Sequence, residues 1–194
     1  MIEPIFKIPA AIDRLIRKYI DPGSVTYKYY FTHCVKVTEL ALEVYKNKPE
    51  LDLDYQKVLA GGMLHDIGIV KTHAPEIGCF GDLPYIAHSY KGREILEAEG
   101  FEDIAPVCER HVGTGLSKED IIKNEFPLPH RDMIPVTLEE KLICFADKFY
   151  SKSEKHLTTR RSVDKIRQKV RKYGNDKAEQ FEKLLELFGP VDDA

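Results

Sequence analysis

Apolar residues recur at a helical spacing along most of the chain. Between Thr26 and Tyr45 they fall three or four positions apart, and the segment from Tyr55 to about Ile67 has the same character. Gly61 and Gly62 lie in this second segment, where they weaken the helix but permit close packing of backbones. Further helices are predicted near 86–99, 102–111, 117–124, 137–152, 160–173 and 176–188. No alternating run is long enough to indicate a sheet, so the pattern predicts an all-α protein.

Glycines, prolines and capping residues mark the predicted ends of these helices. Gly68 is a predicted helix stop, and residues 71–86 contain two Pro and two Gly and are predicted to form a long loop. The sequence TLEE at Thr137–Glu140 predicts a capping box, in which the Thr137 side chain accepts a hydrogen bond while the Glu140 side chain reaches back. The sequence DKAE at 176–179 predicts a second box at the last helix.

Length and composition indicate one soluble globular domain. The 194 residues are 43% hydrophobic and 31% charged, which is typical of a domain with its own core. We expect a single domain over residues 1–194, with its motif-bearing core at about 26–152 and a helical extension at 153–194 packed on it. No apolar run approaches the roughly 18–20 residues that span a bilayer. The charged N-terminus does not resemble a signal peptide, so a cytoplasmic location is expected.

Charge is distributed unevenly along the chain. The formal net charge of −3 excludes a strongly basic DNA-binding protein, yet residues 152–172 hold nine Lys and Arg against two acids. This basic segment is either a solvated helix face or a surface that faces phosphates or a partner. It lacks interleaved aromatic residues, so nucleic-acid binding is not expected. The four scattered cysteines have no metal-binding spacing and are interpreted as reduced thiols.

Several segments carry residues that can bind a metal ion. Asp147 is the most informative, because it is flanked by apolar residues on a predicted helix. A buried carboxylate requires a cation or hydrogen bonds nearby. Each candidate alone is more simply a structural residue, but the ordered set predicts a divalent metal site with enough histidines for a second ion. The candidate ligands are His33, His65, Asp66, His88, His111 and Asp147.

The order of these residues resembles the HD superfamily of metal-dependent phosphohydrolases. The sequence HDIG at 65–68 matches the name of the HDIG subgroup, and HSYKG at 88–92 fits that subgroup's H-x-x-x-G pattern. The resemblance extends from about His33 to Lys152. It implies a compact orthogonal helical bundle of the HD-domain type, with a metal centre between the helices.

The resemblance also implies the activity. Two divalent ions would bind, with iron or manganese favoured and zinc, nickel or magnesium as alternatives. One ion would be held by His33, His65, Asp66 and Asp147. Asp66 would bridge to a second ion, held by His88 and His111. A hydroxide bridging the two ions would cleave a phosphoester or phosphoanhydride in a nucleotide or another small phosphorylated metabolite.

Further residues near the ligands are candidates for catalysis and substrate binding. Asp66, Lys71 and His73 are the catalytic candidates, since Lys71 can bind a phosphate and His73 can protonate a leaving oxygen. Many relatives follow HDIG with lysine at once, whereas here Ile69 and Val70 intervene before Lys71. Candidate phosphate-binding cations are Lys71, Lys91, Arg110, Lys148 and Lys152.

Two other functions compete with the binuclear enzyme. In the first, a mononuclear nucleotidase, His88 and His111 contact the substrate instead of a second ion. In the second, a signalling module binds a nucleotide or partner without turnover. For the enzyme the expected partner is a small phosphorylated substrate; no membrane association is expected, and the sequence does not indicate an oligomeric state.

Overall fold

The computed structural model describes residues 2–191, and helices dominate it. The α-helices of this part of the chain are α1 (Ala10–Tyr19), α2 (Val25–Asn47), α3 (Tyr55–Leu64), α4 (His88–Ala98), α5 (Ala105–Arg110), α6 (Lys118–Lys123), α7 (Leu138–Asp147), α8 (Val163–Arg171) and α9 (Asn175–Phe188). The prediction of an all-α fold is confirmed.

A small hairpin interrupts the segment predicted as a loop. Strands β1 (His73–Ala74) and β2 (Cys79–Phe80) are antiparallel, and His73 is paired with Phe80. Each strand has only two residues, so no alternation could reveal it in the sequence. The hairpin follows a 3-10 helix at Ile67–Lys71, which links α3 to this region.

One helix was missed, and another was predicted to be too long. Helix α1 was not predicted, although Ile12, Leu15 and Ile16 bury one face of it at helical spacing. A helix this short takes its stability from tertiary packing, which the sequence does not display. Helix α7 was predicted to continue to residue 152 but ends at Asp147, where the chain turns.

The predicted helix ends were correct only in part. Thr137 accepts from the Glu140 amide as expected, but the Glu140 carboxylate accepts from the amide of Val136 and does not close the box on Thr137. Helix α9 has Gly174 at its N-cap without a side-chain cap, so the box predicted at 176–179 is wrong. Helix α3 ends before Gly68, which lies inside the following 3-10 helix.

Two hydrophobic clusters meet along α2. One contains α1, α3 and the first half of α2, and it includes Tyr30 and Met63. The other contains α7, α8, α9 and the second half of α2, and it includes Val37 and Phe181. His33 lies on α2 within the stretch that belongs to the first cluster, a few residues before the second cluster begins at Val37.

Gly62 allows α3 to approach α2 closely, as the sequence predicted. A Cβ atom at Gly62 would lie 2.3 Å from the Thr38 hydroxyl oxygen and 3.0 Å from the Thr38 Cα. Any side chain there would push the two helices apart. Close contact between these helices brings His33 of α2 towards His65 at the end of α3.

An ion pair connects the start of α9 to α6. The Lys177 ammonium group lies 2.5 Å from Asp120 Oδ2 and donates to the Gly115 carbonyl at 3.1 Å. Burial alone would raise the pKa of Asp120, but hydrogen bonds from Lys177 and Ser117 lower it below its ordinary value. This contact therefore stabilises the folded protein when Asp120 is ionised.

We expect Lys177→Met to lower the free energy of unfolding by about 1–2 kcal/mol at pH 7, measured by urea denaturation. Because the folded pKa of Asp120 is lowered, its contribution is present above its ordinary pKa near 4 and is lost as pH falls through the lowered value. The difference from wild type should therefore shrink at pH 3. Lys183→Met, at an exposed position of the same helix, is the control. Equal losses in both variants, or a loss at pH 3 as large as at pH 7, would contradict the assignment.

Within residues 2–191, no helix combines the length and apolar character needed to cross a bilayer.

Candidate metal centre

The structure brings together all six candidate ligands predicted from the sequence. They come from different elements: His33 from α2, His65 and Asp66 from the end of α3, His88 from the start of α4, His111 from the end of α5 and Asp147 from the end of α7. Five of them are buried, and the Asp147 side chain is 18% exposed. They form a first group (His33, His65, Asp66 and Asp147) and a second group (Asp66, His88 and His111).

In the first group the ligand atoms converge on one point. His33 Nε2 lies 3.0 Å from Asp147 Oδ1, 3.2 Å from Asp66 Oδ2 and 3.2 Å from His65 Nε2. His65 Nε2 in turn lies 3.1 Å from Asp66 Oδ2. Two imidazole nitrogens and two carboxylate oxygens at these separations are a suitable donor set for a divalent ion.

The second group uses the other oxygen of Asp66. His88 Nε2 and His111 Nε2 lie 3.2 Å apart, and they are 3.3 and 3.5 Å from Asp66 Oδ1. Asp66 thus presents Oδ2 to one pair of imidazoles and Oδ1 to another. This carboxylate lies between two sets of ligand atoms, a position from which it can be shared.

Hydrogen bonds at Nδ1 of three imidazoles leave Nε2 as the nitrogen that can bind a metal ion. The Nδ1 atoms of His65, His88 and His111 lie 2.9, 2.6 and 2.7 Å from backbone carbonyl oxygens three residues earlier. An imidazole that donates through Nδ1 presents a lone pair on Nε2 in its neutral form. The facing lone pairs of His88 and His111 would repel each other without a cation between or beside them.

Asp66 gives a second reason why a cation fits. Neither of its buried oxygens accepts a hydrogen bond within residues 2–191, although the Lys152 ammonium group is in ion-pair contact with Oδ2. A buried carboxylate with unused lone pairs is costly unless positive charge neutralises it. The donor set and these unused acceptors together fit divalent metal ions.

The electrostatic environment favours positive charge at the first group and neutral imidazoles at the second. Burial would lower the pKa of His65, but Asp66 and Asp147 outweigh it and raise the value to about 9. Burial lowers the pKa of His88 to about 3 against the opposing effect of Asp66, so this imidazole is neutral at physiological pH.

Both carboxylates are ionised. Burial would raise the pKa of Asp66, but Lys152 and His65 hold it well below the ordinary value. Burial acts on Asp147 in the same direction, and Lys148 with the neighbouring imidazoles again lowers its pKa well below the ordinary value. The anionic, metal-binding form of each carboxylate therefore persists at all physiological pH values.

Glycines of the two sequence motifs bring the segments of the centre into contact. A Cβ atom at Gly68 would lie 2.0 Å from the His88 carbonyl oxygen and 2.4 Å from the Gly92 nitrogen. Gly92 in turn lies against Cys108, whose Cβ would be 2.9 Å from an added Cβ. The glycines of HDIG and HSYKG therefore let the region after α3 approach α4 and α5, and this sets Asp66 beside His88 and His111.

Two of the predicted phosphate-binding cations lie at the centre. Lys148 Nζ is 2.7 Å from Asp147 Oδ2 and donates to the His111 carbonyl at 3.2 Å. The Lys152 ammonium group contacts Asp66 and lies 5.8 Å from the centroid of the Tyr85 ring. Their side chains are only 12% and 11% exposed, so both cations border the ligand groups.

The other four candidates make no such contact with the ligands in the described part of the chain. Lys71 and His73 are exposed, at the end of the 3-10 helix and in β1. Lys91 pairs with a glutamate one turn further along α4, and Arg110 pairs with a glutamate of α7. Within the described residues, none of the four forms a hydrogen bond or ion pair with the six ligands. Their proposed roles stay predictions.

Tyr85 lies at the centre but was not among the predicted site residues. Its ring centroid is 4.7 Å from that of His88, and its carbonyl accepts from His88 Nδ1. The Lys152 ammonium group lies over the same ring. The only sequence signal was its position three residues before His88, a spacing at which an imidazole N–H can donate to a backbone carbonyl.

The fold and the site define a helical protein with a His/Asp metal centre, and comparison with known families names the class. A family model described as HD domain matches residues 30–151. The chain therefore belongs to the HD domain family, as the order of its histidines and aspartates indicated. No solved structure matches the chain.

Three curated relatives show partial similarity. The chain is 41% identical over 119 residues to an uncharacterised protein of Methanocaldococcus jannaschii, covering 59% of this chain and 62% of that protein. It is 30% identical over 164 residues to a tRNA (cytidine(56)-2'-O)-methyltransferase of Thermoplasma volcanium, covering 84% of this chain and 43% of the relative. A protein of the same name from Picrophilus torridus is 34% identical over 117 residues, covering 60% and 30%. The chain thus spans less than two thirds of the length of each of these relatives.

Proposed function

We propose that the protein is a metal-dependent phosphohydrolase that cleaves a phosphoester or phosphoanhydride in a nucleotide or another small phosphorylated metabolite. The observation that carries this proposal is the placement of Asp66, whose two oxygens face two separate pairs of imidazoles. A carboxylate in this position can bind two ions at once. Membership of the HD domain family supports the hydrolase class.

The first group would hold one divalent ion and the second group another, with Asp66 shared. When bound, two such ions supply a hydroxide nucleophile near neutral pH and positive charge for the oxygens of a phosphoryl group. Nitrogen and oxygen ligands of this kind suit iron, manganese, nickel or zinc. The resemblance to the superfamily favours iron or manganese.

The cations of the chain would bind and orient the phosphate. Lys148 and Lys152 lie beside the two carboxylates, and their low exposure limits the access of water to the charges there. The hydrogen bond from Lys148 to the His111 carbonyl fixes the position of this ammonium group next to the second group. His73, in the first strand of the hairpin, is the candidate for protonating the leaving oxygen, and Lys71, just before the hairpin, is a candidate for binding a phosphate.

The facing imidazoles of His88 and His111 favour the binuclear enzyme over a mononuclear nucleotidase. If these residues served only as substrate contacts, their Nε2 lone pairs would face each other at 3.2 Å with no cation of their own. A non-catalytic module is disfavoured by the complete set of six ligands, five of them buried, because such a module has no physical need to enclose two carboxylates.

RNA is a second candidate for the molecule that carries the phosphate. It is favoured by the two relatives named as tRNA methyltransferases. In this case the same centre would act on a phosphate at an end of an RNA chain. Parallel assays of nucleotides and of oligoribonucleotides phosphorylated at the 5′ or 3′ end separate the two substrates.

We expect wild-type protein purified without chelator to contain about two metal ions per chain by elemental analysis and to hydrolyse at least one phosphate of this panel. His88→Ala should lower the metal content by about one ion and kcat/KM by at least about 100-fold, because a ligand of the second group is lost. His130→Ala is the matched control, since His130 is exposed in a loop.

Two results would contradict the proposal. Unchanged metal content in His88→Ala would indicate the mononuclear enzyme. A wild-type protein that neither retains added manganese or iron nor hydrolyses any member of the panel would indicate the binding module.

A further inference from the structure

The basic segment at 152–172 begins directly after the family match, and it contains cations that pair with carboxylates and cations that do not. Arg160 pairs with Glu43, and Arg167 pairs with Glu182, so these arginines are neutralised by carboxylates. Arg161 and Lys169 have no ion pair with a carboxylate in the part of the chain that the structure describes. The segment is therefore not simply a solvated face, and these two cations need a separate explanation.

Arg161 is partly buried against the end of α7. Its Nη1 atom donates to the carbonyls of Lys148 and Tyr150 at 3.3 and 2.9 Å, and its backbone amide donates to Phe149 at 2.8 Å. These bonds fix the guanidinium group beside Lys148, while Nε and Nη2 form no hydrogen bond within residues 2–191. A held guanidinium group with free N–H groups is suited to bind an anion.

Lys169 adds a further positive charge to those of Arg161 and Lys148. It is exposed on α8, next to Val170, whose side chain is buried in the core with α7 and α9. Partial burial lowers the pKa of Lys169, and the cations of Arg161 and Lys148 lower it further, against the opposing effect of Asp147. Lys169 therefore lies near enough to Arg161 and Lys148 for their charges to act on it.

The carboxylates of the centre cannot neutralise all of these cations. Lys148 and Lys152 already pair with Asp147 and Asp66, and the two carboxylates also belong to the metal-ligand groups. Arg161 and Lys169 form no ion pair within residues 2–191, and Asp147, whose charge acts on both, is already paired with Lys148. Gathering like charges in one place destabilises a protein unless a bound anion compensates.

We propose that Arg161 and Lys169 form a second phosphate subsite beside the metal centre, so that the substrate carries at least two phosphate groups. This inference rests on the proposed function. One phosphate would lie at the metal ligands with Lys148 and Lys152, and the next would be bound by Arg161 and Lys169. Two phosphates so placed occur in a nucleoside di- or triphosphate, where they are linked through one oxygen, and in an RNA end, where a ribose separates them.

The test compares the binding of non-hydrolysable phosphates by calorimetry to metal-loaded protein. Methylenediphosphonate should bind wild type at least about tenfold more tightly than methylphosphonate. Lys169→Gln should weaken diphosphonate binding about fivefold and change methylphosphonate binding less than twofold. Lys172→Gln, at the exposed end of α8, should change neither. Elemental analysis after each titration checks that the protein retains its metal. Any binding of free metal by the diphosphonate in solution is the same for all variants and does not affect their comparison.

Arg161 is tested by Arg161→Lys, which keeps the charge and removes the forked donor set. It should weaken diphosphonate binding and leave methylphosphonate binding within twofold. Lys169 is exposed, so Lys169→Gln gives an answer even if the Arg161 variant folds poorly.

A dinucleotide with a 5′-phosphate distinguishes the two sources of the second phosphate. If Lys169→Gln weakens the binding of methylenediphosphonate but not of the dinucleotide, the subsite belongs to a nucleoside polyphosphate. If it weakens the binding of the dinucleotide only, the subsite belongs to RNA. Equal binding of mono- and diphosphonate by wild type, with no effect of Lys169→Gln on the dinucleotide, would overturn the subsite. Because binding is measured without turnover, a protein that binds diphosphonate through Lys169 but hydrolyses nothing would refute the proposed function and leave the subsite intact.

Discussion

Asp66→Asn is expected to remove both metal ions and to lower kcat/KM by at least about 1,000-fold, as measured by elemental analysis and steady-state kinetics. Asparagine keeps the shape of the side chain but removes the negative charge that faces both pairs of imidazoles. It also removes the ion-pair partner of Lys152, whose ammonium group is almost fully buried. The unpaired Lys152 ammonium group would then repel a divalent ion, and each pair of imidazoles would lack its anionic ligand.

Asp82→Asn is the control for this experiment, because Asp82 is exposed and makes the same change of charge. Circular dichroism separates loss of metal from loss of fold. An Asp66→Asn protein that keeps two ions would show that Asp66 is not shared. Loss of a single ion with activity preserved would assign the chemistry to one group alone.

Gly68→Ala is expected to lower the free energy of unfolding by about 3 kcal/mol and to remove one metal ion. The added Cβ would lie 2.0 Å from the His88 carbonyl oxygen and 2.4 Å from the Gly92 nitrogen. Both are backbone atoms, so no side-chain rotation relieves the overlap and the start of α4 must move. His88 is the first residue of α4 and would move with it.

Urea denaturation and elemental analysis measure these two effects. Gly23→Ala is the matched control, because a Cβ there meets only the Asp21 side chain, at 3.6 Å. A Gly68→Ala protein with wild-type stability and two ions would show that α4 does not depend on this close approach.

The sequence predicted the class of fold because amphipathic helices have a period that one sequence displays. It missed α1 and misplaced the end of α7, since both depend on contacts with distant segments. The β1–β2 hairpin has strands of two residues, too short to show alternation. The extent of the single domain stays a prediction.

The candidate ligands could be chosen from the sequence because few residue types bind metals and their order resembled a family. The cations around them could not be chosen by the same reasoning. Lys148 and Lys91 both lie close in sequence to a ligand, yet Lys148 contacts the centre and Lys91 pairs with a glutamate of its own helix. Arg161 was visible only as one member of the basic segment. Which cations face the centre depends on how the chain turns after α7, and residue spacing does not specify that turn.

The ligand groups draw on segments far apart in the chain, from α2 to the end of α7. An ion bound to them would act as a cross-link between these segments, because only the folded chain brings ligands so distant in sequence close together. The binding free energy would then add to the free energy of unfolding. Metal supply would therefore govern the lifetime of the protein as well as its rate of reaction, since metal-depleted chains would open more often and be cut by proteases sooner.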